Sequence, residues 1–209
     1  MTGFSVVNTG SHPANFSISF RDDNGNPVSL PFTGLGTLGT LSDTIVANGA
    51  RYYEAGTPQD ALIAGSGMVT ADAAITMQAL FRRLGSDNSY YEAAVPASAG
   101  LNELEIPFDD TTFAATGAQI YTGFAFANLD TANSAYVTCT ARDATGTIIP
   151  GALSVPVLNP LGHWAGYLFP ALTGQRGTLD CASNTKIGSI GLRFLGSNTV
   201  SSLPVIAIR

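Results

Sequence analysis

Apolar and polar side chains alternate along much of this chain. In FSISF, Phe16, Ile18 and Phe20 fall on one face and Ser17 and Ser19 on the other, which is the two-residue period of a half-buried strand. YVTCTAR repeats the pattern, with Val137, Cys139 and Ala141 set against Tyr136, Thr138 and Thr140. Each segment runs into a sequence suited to a hairpin turn, Asp-Asn-Gly-Asn from Asp23 and Ala-Thr-Gly-Thr from Ala144. AITMQALFRRL is ambiguous, because Met77, Leu80, Phe81 and Leu84 would also gather near one side of a helix.

An internal repeat resolves that ambiguity. TGFSVVNTGSHPANFSISFRDDNGNPV, from Thr2, aligns with TGFAFANLDTANSAYVTCTARDATGTII, from Thr122, so the copies start about 120 residues apart. Asn8 matches Asn128, Arg21-Asp22 matches Arg142-Asp143, and Gly25 meets Gly146. Further on, ANGARYY parallels LNPLGHW, GMVTA parallels GTLDC, and LFRRLGS parallels LRFLGS. The counterpart of AITMQALFRRL is therefore KIGSIGLRFLG, which carries interior glycines and alternates Ile190, Leu192 and Phe194. Glycine weakens a helix interior, so both segments read as strands.

About seven short strands per copy, in roughly 100 residues, predict an all-β fold of two tandem antiparallel β-sandwich domains. The expected boundaries are 1–98 for the first, 99–118 for a linker or joining strand, and 119–209 for the second. Glu103 and Glu105 flank Leu104 and Ile106 as the outward face of that joining strand. The order TGFAFAN, ARDATGTII, GTLDC, GLRFLG, LPV resembles tandem immunoglobulin-like repeats of secreted and surface proteins from environmental bacteria. The resemblance covers both copies and rests on strand and turn residues. It implies an extracellular sandwich module with no particular activity.

Composition narrows the partners. Charged residues make up 11% of the chain, against roughly 25% in a typical domain. Lys186 is the single lysine, and the formal net charge is −6, which disfavours nucleic acid and anionic membrane surfaces. No apolar run reaches the roughly 20 residues of a membrane span, so membrane insertion is not expected. The N-terminus lacks the basic start and apolar core of an export signal. An extracellular or cell-surface location is therefore inferred indirectly, any export signal lying outside this sequence.

The two cysteines strengthen that inference. Cys139 and Cys181 align with Ile18 and Ala71, both apolar and inward by alternation. A cysteine pair in place of a buried apolar pair predicts an inter-sheet disulfide; two unconnected buried thiols are the alternative. A disulfide fits an oxidising compartment.

Candidate chemistry is sparse. His12 and His163 occupy loop-like contexts in different copies and lack second metal ligands at useful spacing. A serine-histidine-carboxylate hydrolase would need one of them brought to partners in space. Asp22 and Asp23, with Asn24 and Asn26, crowd oxygen ligands as calcium sites do, but no glutamate closes an EF-hand pattern. A hairpin turn is the competing reading, and Asp109-Asp110 reads as a solvated linker turn. Tyr52, Tyr53, Tyr90, Tyr91 and Trp164 are candidates to stack on sugars; in each adjacent tyrosine pair only one ring can face outward.

Gly34, Leu35, Gly36, Thr37, Leu38 and Gly39 spell G-x-G-x-x-G, the letters of a dinucleotide-binding turn. Such a turn must leave a strand and open a helix, whereas Pro27 and Pro31 precede it and TLSDTIVANG reads as another strand. From Gly25 to Asn48 is 23 positions, but from Gly146 to Asn159 only 13. The run therefore reads as a ten-residue extension of the first copy and a candidate interaction loop, with no cofactor.

The sequence thus points to a non-enzymatic structural or adhesive module of an exported, cell-surface or appendage protein, filament formation included. Its partners would be other protein chains, self-association through edge strands among them. A carbohydrate-binding module contacting surface glycan is the alternative, and a hydrolase ranks third.

Overall fold

The computed structural model describes residues 1–57, 63–85, 87–151, 154–167, 172–196 and 199–208. Among these the chain is all β, with antiparallel pairing throughout and no α-helix. The first half holds β1 (Thr2–Asn8), β2 (Ala14–Arg21), β3 (Leu30–Phe32), β4 (Gly36–Leu38), β5 (Thr40–Ile45), β6 (Ala50–Ala55), β7 (Ser66–Ala71), β8 (Ile75–Leu84) and β9 (Tyr90–Pro96). The rest holds β10 (Leu101–Asp109), β11 (Thr112–Phe113), β12 (Ala118–Asn128), β13 (Val137–Asp143), β14 (Ile148–Ile149), β15 (His163–Tyr167), β16 (Arg176–Leu195), β17 (Thr199–Leu203) and β18 (Ile206–Ala207).

In the first half a six-stranded sheet, β4-β3-β6-β1-β8-β9, faces a three-stranded one, β5-β2-β7. Alternation selects what meets between them: Phe4, Val6 and Phe32 from one sheet, Phe16, Ile18, Phe20, Leu41 and Ile45 from the other. The ambiguous segment is strand β8, pairing with β1 and β9 along its length. In the second half β16 runs 20 residues. Its first part pairs with β13 and β10, and its second with β12 and β17. Segment 99–118 does more than join the halves. Leu104, Ile106 and Phe108 of β10 are buried in the second core, while Glu103 and Glu105 face away.

The two halves share local geometry. Buried Asn8 donates through Nδ2 to the carbonyls of His12, Ile45 and Val46, and its Oδ1 accepts from the Gly10 amide. Buried Asn128 donates to Asn133, Leu158 and Asn159 and accepts from the Asp130 amide and the Thr185 hydroxyl. After β2, Asp22 Oδ1 accepts from the amides of Asn24 and Asn26; at the end of β13, Asp143 does the same for Thr145 and Thr147. A Cβ on Gly65 would lie 1.9 Å from the Arg21 carbonyl oxygen, and one on Gly177 1.8 Å from that of Arg142. Only glycine permits backbones so close.

These contacts shift the sequence alignment by two residues in two places. Asn8 N–H donates to the Gly49 carbonyl and Asn128 N–H to that of Gly162, following the left-handed residues Asn48 and Leu161. Asn48 therefore corresponds in place to Leu161 rather than Asn159. Likewise Ile18 pairs with Val69 as Cys139 pairs with Cys181, so Val69, not Ala71, occupies the position of Cys181.

The Val46, Leu158 and Asn159 carbonyls also accept from backbone amides, so removing Asn8 or Asn128 takes a donor chiefly from His12 or Asn133, and from the amide that each Oδ1 accepts, each loss worth about 1–3 kcal/mol where the group is desolvated. Asn8→Ala and Asn128→Ala are each expected to cost about 3 kcal/mol, read from urea unfolding midpoints. An effect no larger than that of Asn15→Ala, on the exposed side of β2, would remove this assignment.

Candidate interaction surfaces

A seam joins the halves. The turn after β2 reaches β15, where His163 Nδ1 lies 2.8 Å from Asp23 Oδ1 and the His163 amide donates to the Asp23 carbonyl at 3.0 Å. His163 is thus a strand residue with its side chain largely covered, rather than a loop histidine. Asp22 instead caps its own turn, and the amide of Asn26 leads the interactions that hold its carboxyl below the ordinary range. Asp22 and Asp23 therefore serve separate partners. Among the described residues no cluster of three or more His, Cys, Asp or Glu is placed to hold a metal ion. His12 contacts Ser11 and His163 contacts a carboxylate; among the described hydrogen bonds neither histidine has both partners.

A cavity of about 460 Å³ opens along the seam. Its first-half wall is largely apolar, with Phe4, Phe20, Val69, Met77, Phe81 and Val95, and includes Arg21. The second half closes the other side with Ala125, Ala127 and Gly188 together with the larger Leu129, Leu161 and Ile190.

The outer face of the six-stranded sheet is a second surface. Arg82 of β8 binds Glu54 of β6 and Glu92 of β9 and approaches the Tyr52 hydroxyl at 3.4 Å. The Tyr52 ring covers Gly3, where a Cβ would meet its hydroxyl at 2.5 Å. Tyr52 and Tyr90 stand 49% and 55% exposed on this same face. The other aromatic candidates are engaged. Tyr53 packs on Phe16 and donates to Asp43, and burial followed by that carboxylate pushes its phenol well above the ordinary value. Tyr91 donates to Asp87, and Trp164 stacks on Phe126 at 6.2 Å, against the second core.

The glycine run forms a hairpin. β3 and β4 pair around Gly34 and Leu35, with Gly34 and Gly36 in left-handed conformations. Strand β5 follows, so no helix opens where a dinucleotide turn requires one. Leu35 is exposed at the tip. Using the observed correspondence, Gly25 to Gly49 is 24 positions and Gly146 to Gly162 is 16. Between these glycines the first half is eight residues longer, where the sequence alignment of Asn48 with Asn159 gives ten.

Cys139 and Cys181 are disulfide-bonded. They are directly opposed on neighbouring strands β13 and β16, so the bond lies within one sheet and not between two. Asp109 and Asp110 also depart from the expected solvated turn. Asp109 pairs with Arg193 and accepts from Thr111, while Asp110 is buried. Burial raises the Asp110 carboxyl above its usual range, the Gln119 amide opposes that shift, and the neighbouring Asp109 charge adds to it.

No family model, curated protein or solved structure matches this chain. Among the described residues no helix is long and apolar enough to cross a membrane.

Two outcomes follow from these groups. Because the folded pKa of Asp110 is raised, its favourable contribution is present at low pH and is lost as pH rises from the ordinary carboxylate value through the raised one. Asp110→Asn should raise the melting midpoint at pH 7 by roughly 2 °C and give little gain at pH 3. Equal gains at both values would contradict the assignment. Reducing the Cys139–Cys181 bond, which closes a separation of 42 residues, should cost about 2–4 kcal/mol in denaturant titrations.

Proposed function

We propose that this chain is a non-enzymatic structural or adhesive module of an exported, cell-surface or appendage protein, built as two tandem immunoglobulin-like β-sandwiches. The repeated asparagine and aspartate geometries support the duplication, and the disulfide supports an oxidising compartment. Charged side chains serve largely as cross-strand and turn partners, leaving hydroxyls and amides for much of the surface. The observation that carries the reading is an open sheet edge: β7 pairs with β2 and, among the described residues, with nothing on its other side. A bare edge presents unpaired backbone donors and acceptors to another strand. The module would act by strand addition between chains.

Sedimentation velocity and negative-stain imaging across a concentration series test this reading. Concentration-dependent assembly, or retention on a cell surface, is the expected result. A protein that stays monomeric and binds no surface would count against it.

One observation favours a carbohydrate-binding reading as second. Tyr52 and Tyr90 share an outward face with Glu54, Arg82 and Glu92, which offers rings for stacking and polar groups for hydroxyls. Under that reading a glycan array gives hits that Tyr52→Ala and Tyr90→Ala remove.

A further inference from the structure

The two halves treat one strand edge differently. In the second half, the first part of β16 has β13 on one side and β10 on the other. Leu104, Ile106 and Phe108 of β10 enter the core there, and Leu179 and Cys181 of β16 are buried beneath them. Ile106 sits against Gly191, where an added Cβ would come within 2.7 Å of its Cγ2. In the first half, β2 and β7 pair in the same register, Ile18 to Val69 as Cys139 to Cys181. Gly67 and Val69 hold the places of Leu179 and Cys181, and Ala79 that of Gly191. No described strand lies beyond β7. Gly67 is exposed, and Val69, Met77, Ala79 and Phe81 are only half-buried. The seam cavity, lined by these residues, occupies the place that β10 fills in the other half.

We infer that the open edge of β7 accepts an extended strand from another polypeptide chain, antiparallel to β7, with apolar side chains at alternating positions as in Leu104, Ile106 and Phe108. The inference rests on the structural or adhesive reading and names its contact. A strand suits the site better than a compact ligand, because it satisfies the backbone groups of the β7 edge while filling the apolar wall. The cavity of about 460 Å³ is the space available to its apolar side chains, with Ala125, Ala127 and Gly188 the smallest residues of the facing wall. Charge adds a preference. Arg142 donates through Nε to Asp180, but Arg21 in the corresponding place has a buried Nε without a partner and lines the cavity. Strand β10 carries Glu103 and Glu105 on its other face, and an acidic side chain of that kind meets the unmatched donor.

The test uses the full chain and a fluorescent synthetic peptide of the β10 sequence, LNELEIPFD, followed by anisotropy. Saturable binding is expected, with affinity at least ten-fold lower for a peptide carrying serine in place of the leucine at 104, the isoleucine at 106 and the phenylalanine at 108. Ala79→Trp, which fills the place where Gly191 makes room for Ile106, should weaken binding by at least ten-fold with an unchanged circular dichroism spectrum. If that variant does not fold, the milder Ala79→Leu should weaken binding by a smaller factor. Absence of saturable binding, equal binding of the serine peptide, or indifference to the position 79 variants would overturn the strand site. Failure of the peptide in a protein that still assembles or binds surfaces overturns this site and leaves the module reading standing. Loss of both overturns the reading itself.

Discussion

Two buried carboxamides fix the geometry on which both halves depend. Asn8 ends β1 and Asn128 ends β12, and each ties its strand to a loop that follows and to the segment leading into a neighbouring strand. Asparagine suits this role because one planar side chain supplies two donors and an acceptor in fixed directions. Its donors and acceptor add to the backbone bonds that the Val46, Leu158 and Asn159 carbonyls already accept, and reach the His12 and Asn133 carbonyls in the loops. Leaving them unmet would cost more than the net gain from forming an ordinary hydrogen bond. The cores can close over these strand ends because the polar backbone there is already satisfied.

The low charge content has a structural consequence. With so few ionic groups, Arg82 alone bridges three strands of the first half, from Glu54 on β6 to Glu92 on β9. Arg142–Asp180 and Arg193–Asp109 play a similar part in the second. Half-exposed pairs contribute little energy individually, so register is set chiefly by the apolar alternation, with the charges agreeing with it. Asp22, Asp130 and Asp143 are engaged in turns, where backbone amides hold the first two carboxyls below the ordinary range and the Thr145 hydroxyl, followed by amides, does so for Asp143.

The strands were legible because pleating imposes a two-residue period that Phe16, Ile18 and Phe20 display without ambiguity. The turns were legible because Gly25 and Gly146 meet a positive φ requirement. The misplaced register near Gly49 has a physical cause. A left-handed residue is usually asparagine or glycine, so the letters favoured matching Asn48 with Asn159. The position is held by Leu161 instead. The same happened at β7: Gly67 matched Gly177 by spelling, while the glycine pressed against a carbonyl is Gly65. The His163–Asp23 contact spans 140 positions, and neither local pattern announces it. The tyrosine pairs illustrate the middle case, since alternation put one ring of each pair outward, but which ring depended on the sheet that β6 and β9 joined.

The difference between the halves follows from whether the strand pairing with β2 or β13 continues into the one pairing with β1 or β12. In the second half β16 runs on as a continuous 20-residue strand of one nine-stranded sheet, and both of its ends gain partners on each side. In the first half the chain breaks between β7 and β8, at 72–74, and β7 is left with one neighbour. The inner residues record the consequence. Where the second half packs Leu179 and Cys181 under β10, the first places a glycine and a half-buried valine. A chain selected only to close its own core would have little reason to leave Met77 and Phe81 half-buried around a cavity, because unfilled apolar space forfeits dispersion contacts. Retaining an aromatic wall beside an unpaired edge is consistent with a contact completed by something outside the half.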